Sequence, residues 1–447
     1  MHEVRSQVAG VPVTPDGRFD PVDSVFATEA VGRKVRLRGW VLRNRSSGGI
    51  IFLVLRDRTG SVQVTARRDT LGPEQFPALE HVQIEGALRV VGIVAADARA
   101  PGGREVRAEQ VEVVHAGEPF PIFSDQTEEF RLDKRHLVIR SQEHVATFRV
   151  KAELLRALRE FLTEEEVLET TPPILTGNAA EGGAEAFQFD YFGRPGYLSQ
   201  TAQLYLEALL FPNERVYALT PSFRAEKSRT PRHLTEYTHL EVELAWCGLP
   251  ELMDFVERML VTTLHRLAER RPKELAALGR PPDELLGLRA PFLRLTYREA
   301  IERLRGKGFS LAFGDDLGSA EERALTLEET RPLFVTHYPK GVKAFYKLRS
   351  PNDPETVEAA DLLGPEGYGE LIGASARETD LERLVERLRA IGADPKEYEW
   401  YLDLRRHGSV HHAGFGMGIE RLLRWILRRE HIRETTPFPR TPSRHTP

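Results

Sequence analysis

The chain has 447 residues, too many for one small core, so two or more domains are expected. A formal net charge of −5, with 29 % charged residues, excludes a uniformly basic nucleic-acid coat, so any RNA contact must come from local patches. The single cysteine, Cys247, excludes a disulfide framework and a cysteine-based metal site, and reads as a small buried apolar residue. No apolar run approaches membrane-spanning length and the first residues carry no apolar segment, so a cytoplasmic location with no membrane partner is expected.

Residues 1–24, broken by Gly10, Pro12, Pro15 and Gly17, read as a flexible leader. From 25 to 116 the pattern is short β-type runs: Val35–Leu42, Ile50–Leu55, Ser61–Ala66, Ala87–Val94 and Glu105–Val114, with one helical stretch from Gly72 to His81. Five strands with one intervening helix suggest an OB-fold barrel. Residues 117–140 hold Pro119, Pro121 and a charged run, and read as a hinge. A helix follows from Thr147, with Phe148, Leu154, Leu155, Leu158, Phe161 and Leu162 on one face. Strand and helix signals then mix through 141–447, as in an α+β domain. Within it Leu252–Leu278, helical and Arg-rich, reads as a surface helical insertion at about 248–290.

Three stretches carry the chemistry. Pro221–Glu243 has the pattern of a β-hairpin: Arg224 and Glu226, then a basic turn (Lys227, Arg229, Arg232, His233), then an alternating return with Tyr237, Glu241 and Glu243. Cations and carboxylates gathered in one cleft are costly unless they hold a polyanion and a metal, so a nucleoside triphosphate with Mg2+ is expected there. Gly414-Phe-Gly-Met-Gly418 precedes an amphipathic helix start with Arg421, placed to reach phosphates. Asp361 and Glu370 flank a strand-like segment and are of the type that holds Mg2+ beside phosphate oxygens. No Walker A glycine loop is present.

Together these residues resemble the class II aminoacyl-tRNA synthetases of the aspartyl/asparaginyl/lysyl subgroup, and within it the archaeal-type asparaginyl-tRNA synthetases. Thr170-Thr-Pro-Pro-Ile-Leu175 looks like motif 1, Phe223–Glu243 like motif 2 and Gly414–Arg421 like motif 3, in order, over nearly everything from residue 24 onward. The resemblance implies an N-terminal OB-fold barrel followed by a catalytic domain built on an antiparallel β-sheet flanked by helices. It implies an asparagine–tRNA ligase acting on ATP, L-asparagine and tRNA-Asn with Mg2+, as a homodimer. Arg224 and Arg421 would meet the α- and γ-phosphates, Arg232 and His233 the outer phosphates, Tyr237 and Glu226 the adenine, and Asp361 and Glu370 the metal. Glu181 would close over the amino acid, Thr201 and Gln203 would bind its ammonium group, and Arg377 its side-chain oxygen. Leu206, where aspartyl relatives carry lysine, and Glu241, where they carry aspartate, would favour an amide over a carboxylate. Arg45, Phe52 and Gln63 would read the anticodon. Ala374, Ala376 and His411 depart from the family pattern and bear on side-chain recognition. An aspartyl enzyme that also charges tRNA-Asn, a synthetase-like asparagine synthetase and a non-catalytic RNA-binding paralogue are the alternatives.

Overall fold

The computed structural model describes residues 18–177, 186–227 and 230–447. It divides into two compact units, Met1–Gln126 and Thr127–Pro447.

In the first unit β1 (Lys34–Ser47), β2 (Ile50–Arg56), β3 (Ser61–Arg67), β4 (Ala87–Ala96) and β5 (Arg104–His115) close a barrel in the order β1-β2-β3-β5-β4. Alternation along the strands sends Leu37, Ile51, Leu53, Leu55, Val62, Val64 and Val90 inward, all essentially inaccessible. The helix α1 (Arg68–Glu80) adds Phe76 and Leu79 to the same core. The leader reading needs correction at its end: residues 22–26 form a 3-10 turn whose Val22 and Val25, three apart, insert into the barrel core. Residues 1–17 lie outside the described part of the chain.

The second unit opens with α2 (Glu128–Asp133), α3 (Arg135–Val138) and α4 (Gln142–Glu164), then the short strands β6 (Leu168–Glu169), β7 (Leu175–Thr176), β8 (Gln188–Tyr191) and β9 (Arg194–Leu198). Next come α5 (Gln203–Asn213), β10 (Arg215–Phe223), β11 (Glu236–Ala245), α6 (Leu249–Arg270), α7 (Pro272–Ala277) and α8 (Pro282–Leu286). They are followed by β12 (Leu293–Thr296), α9 (Tyr297–Gly306), α10 (Ser319–Thr326) and β13 (Leu333–Thr336). The rest is β14 (Ala359–Gly364), β15 (Gly369–Ala376), α11 (Leu381–Ala390), α12 (Glu399–Arg406), β16 (His412–Gly418) and α13 (Ile419–Ile426).

Eight strands form one sheet in the order β12-β13-β14-β15-β16-β11-β10-β6. Pairing is antiparallel from β13 to β10 and parallel only at the two edges. The register explains the two faces. Along β11, Leu240, Val242 and Leu244 enter the main hydrophobic core, while Tyr237, His239, Glu241 and Glu243 alternate onto the other face. The helices α4 and α6 cover the apolar face.

The stretch read as a surface helical insertion is a core layer instead. Leu252, Val256, Met259, Leu260, Leu264 and Leu267 of α6 are inaccessible or nearly so, because its apolar residues recur at helical period. Only the opposite face is Arg-rich: Arg258, Arg266 and Arg270 pair with Glu165, Glu164 and Glu160 near the end of α4.

Candidate active site

The polar face of the sheet floors a cavity of about 1040 Å³. Strand alternation and the β10–β11 hairpin build one end of it. These strands pair from Arg215 opposite Leu244 to Phe223 opposite Glu236, and Arg224 N donates to Thr235 O at 3.0 Å to close the arm. The hairpin is braced from far along the chain: Thr235 N donates to Arg440 O at 3.0 Å, and Glu236 and Arg440 form an antiparallel bridge. The segment before Arg440 is held in turn by the buried Arg135, whose guanidinium donates to the carbonyls of Arg433, Thr436 and Pro437.

Arg224, Glu226, Arg232, His233 and Tyr237 of this hairpin all line the cavity. The Arg224 guanidinium lies 5.9 Å from the centre of the Tyr237 ring, leaving an aromatic wall with a cation at its rim. His233 Nε2 is 3.8 Å from Glu226. Burial, followed by Arg421, Arg232 and Arg224, pushes the His233 imidazole down to about 4, so it is neutral at physiological pH.

Arg421 enters the same cavity from the first turn of α13. Its Nη1 donates to Glu370 at 3.1 Å and its Nε to Arg232 O at 3.3 Å. Burial alone would raise the Glu370 carboxyl, yet Arg421, Lys343, Arg232 and Arg224 hold it at about 2. Asp361 and Glu370 do not flank one strand: they stand on the paired strands β14 and β15, joined by a hairpin turn. Both carboxylates face the space over Gly373, where an added Cβ would lie 3.3 Å from Glu370 Oε1 and 3.8 Å from Asp361 Oδ1. Asp361 is ion-paired with Lys343, which rests 3.7 Å above the Tyr338 ring centre. Among the described residues no cluster of three or more His, Cys, Asp or Glu could hold a metal by itself. Two carboxylates beside four cations suit Mg2+ that arrives with phosphate, since that ion takes one or two carboxylates and completes its shell with phosphate oxygens and water.

The other end of the cavity is acidic and tightly bonded. Glu241 accepts from Thr201 Oγ1 and from Ala202 N at 2.7 Å, with His239 Nδ1 at 3.3 Å. Burial opposes its charge, but His239, Thr201 and Ala202 together keep the carboxyl below its usual range. Arg377, buried, grips Glu243 through Nε and Nη2 and gives Nη1 to Ser375 Oγ at 2.6 Å. Burial pushes the Glu243 carboxyl up, Arg377 pulls it down, and neighbouring Glu207 adds to the rise. The glycines of β16 serve these side chains: at Gly416 a Cβ would come within 2.6 Å of His239 Nε2, and at Gly414 it would collide with the Glu243 carboxylate. The glycine-rich strand therefore makes room for the side chains of β11.

Thr201, Gln203, Glu241 and Arg377 thus line one cavity with Arg224, Arg421, Asp361 and Glu370. Leu206 does not join them. It is fully buried among Ala202, Leu210, Val216 and Ala218 on the apolar side of α5, so its selectivity role is not that of a lining residue. Ala374 and Ala376 also pack into the main core, because alternation on β15 turns them away from Gly373 and Arg377. His411 sits against Trp246, ring centres 5.5 Å apart, off the cavity lining. Glu181 lies outside the described residues.

The sequence reading names Glu243 in the hairpin but gives it no role, although it stands two positions beyond Glu241 and so on the same face of a strand. Two other site residues it misses. Lys343 and Glu322, which pairs with Arg232 and accepts from Glu370 N at 2.8 Å, lie in segments with no local signal. On the barrel, Arg45 and Phe52 are cross-strand partners on the outer face, with Phe52 exposed and Ile51 and Leu53 in the core. Gln63 lies on that face too and donates to Glu105 at 3.2 Å.

Residues 127–442 match the family described as tRNA synthetases class II (D, K and N), and residues 35–114 the OB-fold nucleic acid binding domain. The asparagine–tRNA ligase of Pyrococcus furiosus is 50 % identical over 95 % of this chain and 100 % of its own. The asparaginyl-tRNA synthetase of Pyrococcus horikoshii, solved with asparaginyl-adenylate, superposes with a TM-score of 0.94 at 48 % identity, covering 96 % of this chain and 100 % of that one. The Entamoeba histolytica asparaginyl-tRNA synthetase gives 0.87 at 30 % identity, covering 94 % and 98 %. With the family matched across most of the chain and a relative half identical over nearly all of it, the chain belongs to the class II tRNA synthetases of the D, K and N group.

Proposed function

We propose that the chain is an asparagine–tRNA ligase, which activates L-asparagine with ATP and transfers it to tRNA-Asn. The observation that carries this reading is the two-ended cavity: cations and paired acids at one end, and at the other an arginine whose charge is already matched by Glu243. The nucleophile is the carboxylate of the amino acid, ionised at neutral pH, so no protein base is needed. Its oxygen bonds to the α-phosphorus as the bond to the pyrophosphate oxygen breaks, and pyrophosphate leaves with its charge. Catalysis is then positioning and charge stabilisation. Arg224 stabilises charge at the α-phosphate, Arg421 meets the γ-phosphate, Arg232 and His233 the outer phosphates. Each arginine–phosphate hydrogen bond contributes about 1.5–3 kcal/mol. Tyr237 stacks on adenine and Glu226 accepts from its amino group. Asp361 and Glu370 hold Mg2+, which when bound neutralises phosphate charge. In the second step the terminal ribose hydroxyl of tRNA attacks the adenylate carbonyl and releases AMP.

At the amino-acid end Thr201 and Gln203 bind the ammonium group, and Arg377 donates to the side-chain oxygen. A neutral amide suits a site whose cation is already balanced; a second carboxylate would meet Glu243 and Glu241 as like charges. Arg45, Phe52 and Gln63 read the anticodon, and the loop with Glu181 closes over the amino acid. The working unit is a homodimer joined through Thr170–Leu175, and its place is the cytoplasm; among the described residues no helix is long and apolar enough to cross a membrane.

Aminoacylation of purified tRNA-Asn and tRNA-Asp with each labelled amino acid tests the assignment. Asparagine should be attached to tRNA-Asn alone; charging with aspartate at comparable efficiency would overturn it.

A further inference from the structure

Below the amino-acid end lies a second set of ionised side chains that the reaction leaves unused. Glu207, one turn after Gln203 on α5, has no accessible side-chain surface, and neither have its partners Arg405 and His412. It accepts from four donors: Gln203 Nε2 at 3.0 Å, Tyr401 OH at 2.8 Å, Arg405 Nη2 at 2.6 Å and His412 Nε2 at 3.0 Å. The donors are themselves anchored. Arg405 Nε donates to Glu378 O at 3.0 Å, and His412 Nδ1 to Val410 O at 2.7 Å. Burial would raise the Glu207 carboxyl, but Arg405, His412 and Arg377 hold it well below its usual range, so it stays ionised.

A buried ion pair adds little to stability compared with well-packed apolar residues, so its use lies in the geometry it enforces. Here that geometry is the amide of Gln203. A carboxylate only accepts, so the group turned toward it must be the NH2. The carbonyl oxygen Oε1 is left on the other side; no described residue donates to it, and Gln203 lines the cavity. We propose that Glu207 is a positioning residue that fixes the Gln203 amide so that its Oε1, and not its NH2, faces the ammonium group of the amino acid. An amide free to turn by half a rotation would present donors to a donor. This rests on the ammonium assignment to Gln203 made above.

The test is a double-mutant cycle read by amino-acid-dependent pyrophosphate exchange. Glu207→Gln should raise the KM for asparagine about ten-fold, with kcat within about three-fold and the KM for ATP unchanged, the pattern of lost ground-state binding. In a Gln203→Ala background the same substitution should add less than about two-fold, because its partner is gone. If Glu207→Gln alone fails to fold, as judged by thermal unfolding, the charge-balanced Glu207→Gln/Arg405→Gln takes its place in the cycle. An unchanged KM for asparagine, or an equal effect in both backgrounds, overturns the proposal. The unsubstituted protein reports separately on the proposed function: if it activates another amino acid, the cycle is run with that one, since every amino acid carries the ammonium group.

Discussion

Residue by residue, the cavity is decided by which side chain already has a partner. Arg377 has spent three nitrogens on Glu243 and Ser375. Substituting Glu243→Gln keeps the shape and removes the balancing charge. The ratio of aspartate to asparagine activation in pyrophosphate exchange should then rise about ten-fold or more, in line with what a single removed repulsion yields. An unchanged ratio would show that selectivity lies elsewhere. Arg224 and Arg421 were legible in the sequence because each sits in a motif whose order is itself informative, whereas Asp361 and Glu370 lie outside those motifs and stood out only as acids flanking a strand-like segment. Leu206 was assigned to the pocket only because aspartyl relatives carry lysine there, and its side chain goes elsewhere for a physical reason. It follows Gln203 by three positions on a helix, a spacing that leaves two side chains near one another, but an apolar side chain beside a buried apolar strand turns toward it. No sequence pattern reports that choice.

Among the elements, α4 shows how a helix end ties chemistry to stability. Ser141 caps it, accepting from His144 N at 3.3 Å. Arg135 Nη1 donates to His144 Nε2 at 2.8 Å, so the ring proton must sit on Nδ1 and point to Ser141 Oγ at 2.7 Å. Burial, with Arg135 second, pushes this imidazole down to about 4. The unfolded chain protonates it near 6.5, so the stability it provides is complete above that pH and is lost as pH falls toward 4. The Tm should therefore drop between pH 6.5 and 4, with a shallower slope in His144→Gln; parallel curves would remove His144 as a cause. The helices were readable as helices from their apolar stripes, but α6 was assigned to the surface because its arginines are conspicuous. A stripe of leucines at helical period outweighs the charges on the opposite face, since those charges need only one exposed side to be solvated or paired.

At the scale of the whole molecule, the chain is two bodies with separate cores, and each has its own task to test. A fragment of residues 127–447 should retain asparagine-dependent pyrophosphate exchange and lose most charging of tRNA-Asn, because the cavity is built within that unit. In the full chain Phe52→Ala should weaken tRNA-Asn charging about ten-fold in kcat/KM while leaving exchange untouched, the loss expected of one stacked base. Loss of exchange in either variant would contradict the division of labour. The barrel was foreseeable from five short runs, since strand alternation is a local property. The order of the eight-stranded sheet was not, because neighbours such as β11 and β16 are brought together by packing rather than by proximity in the chain.

The bridge between Thr235–Glu236 and Arg440 has a consequence for how the protein is made. The ribosome releases the arms at 215–245 long before residue 440, and translating the interval takes roughly 10–40 s. Arg421 is itself made late. A nascent chain therefore lacks both Arg421, the proposed partner of the γ-phosphate, and the brace on the hairpin, so on the proposed function it should not begin consuming ATP on the polysome until translation of the unit is nearly over.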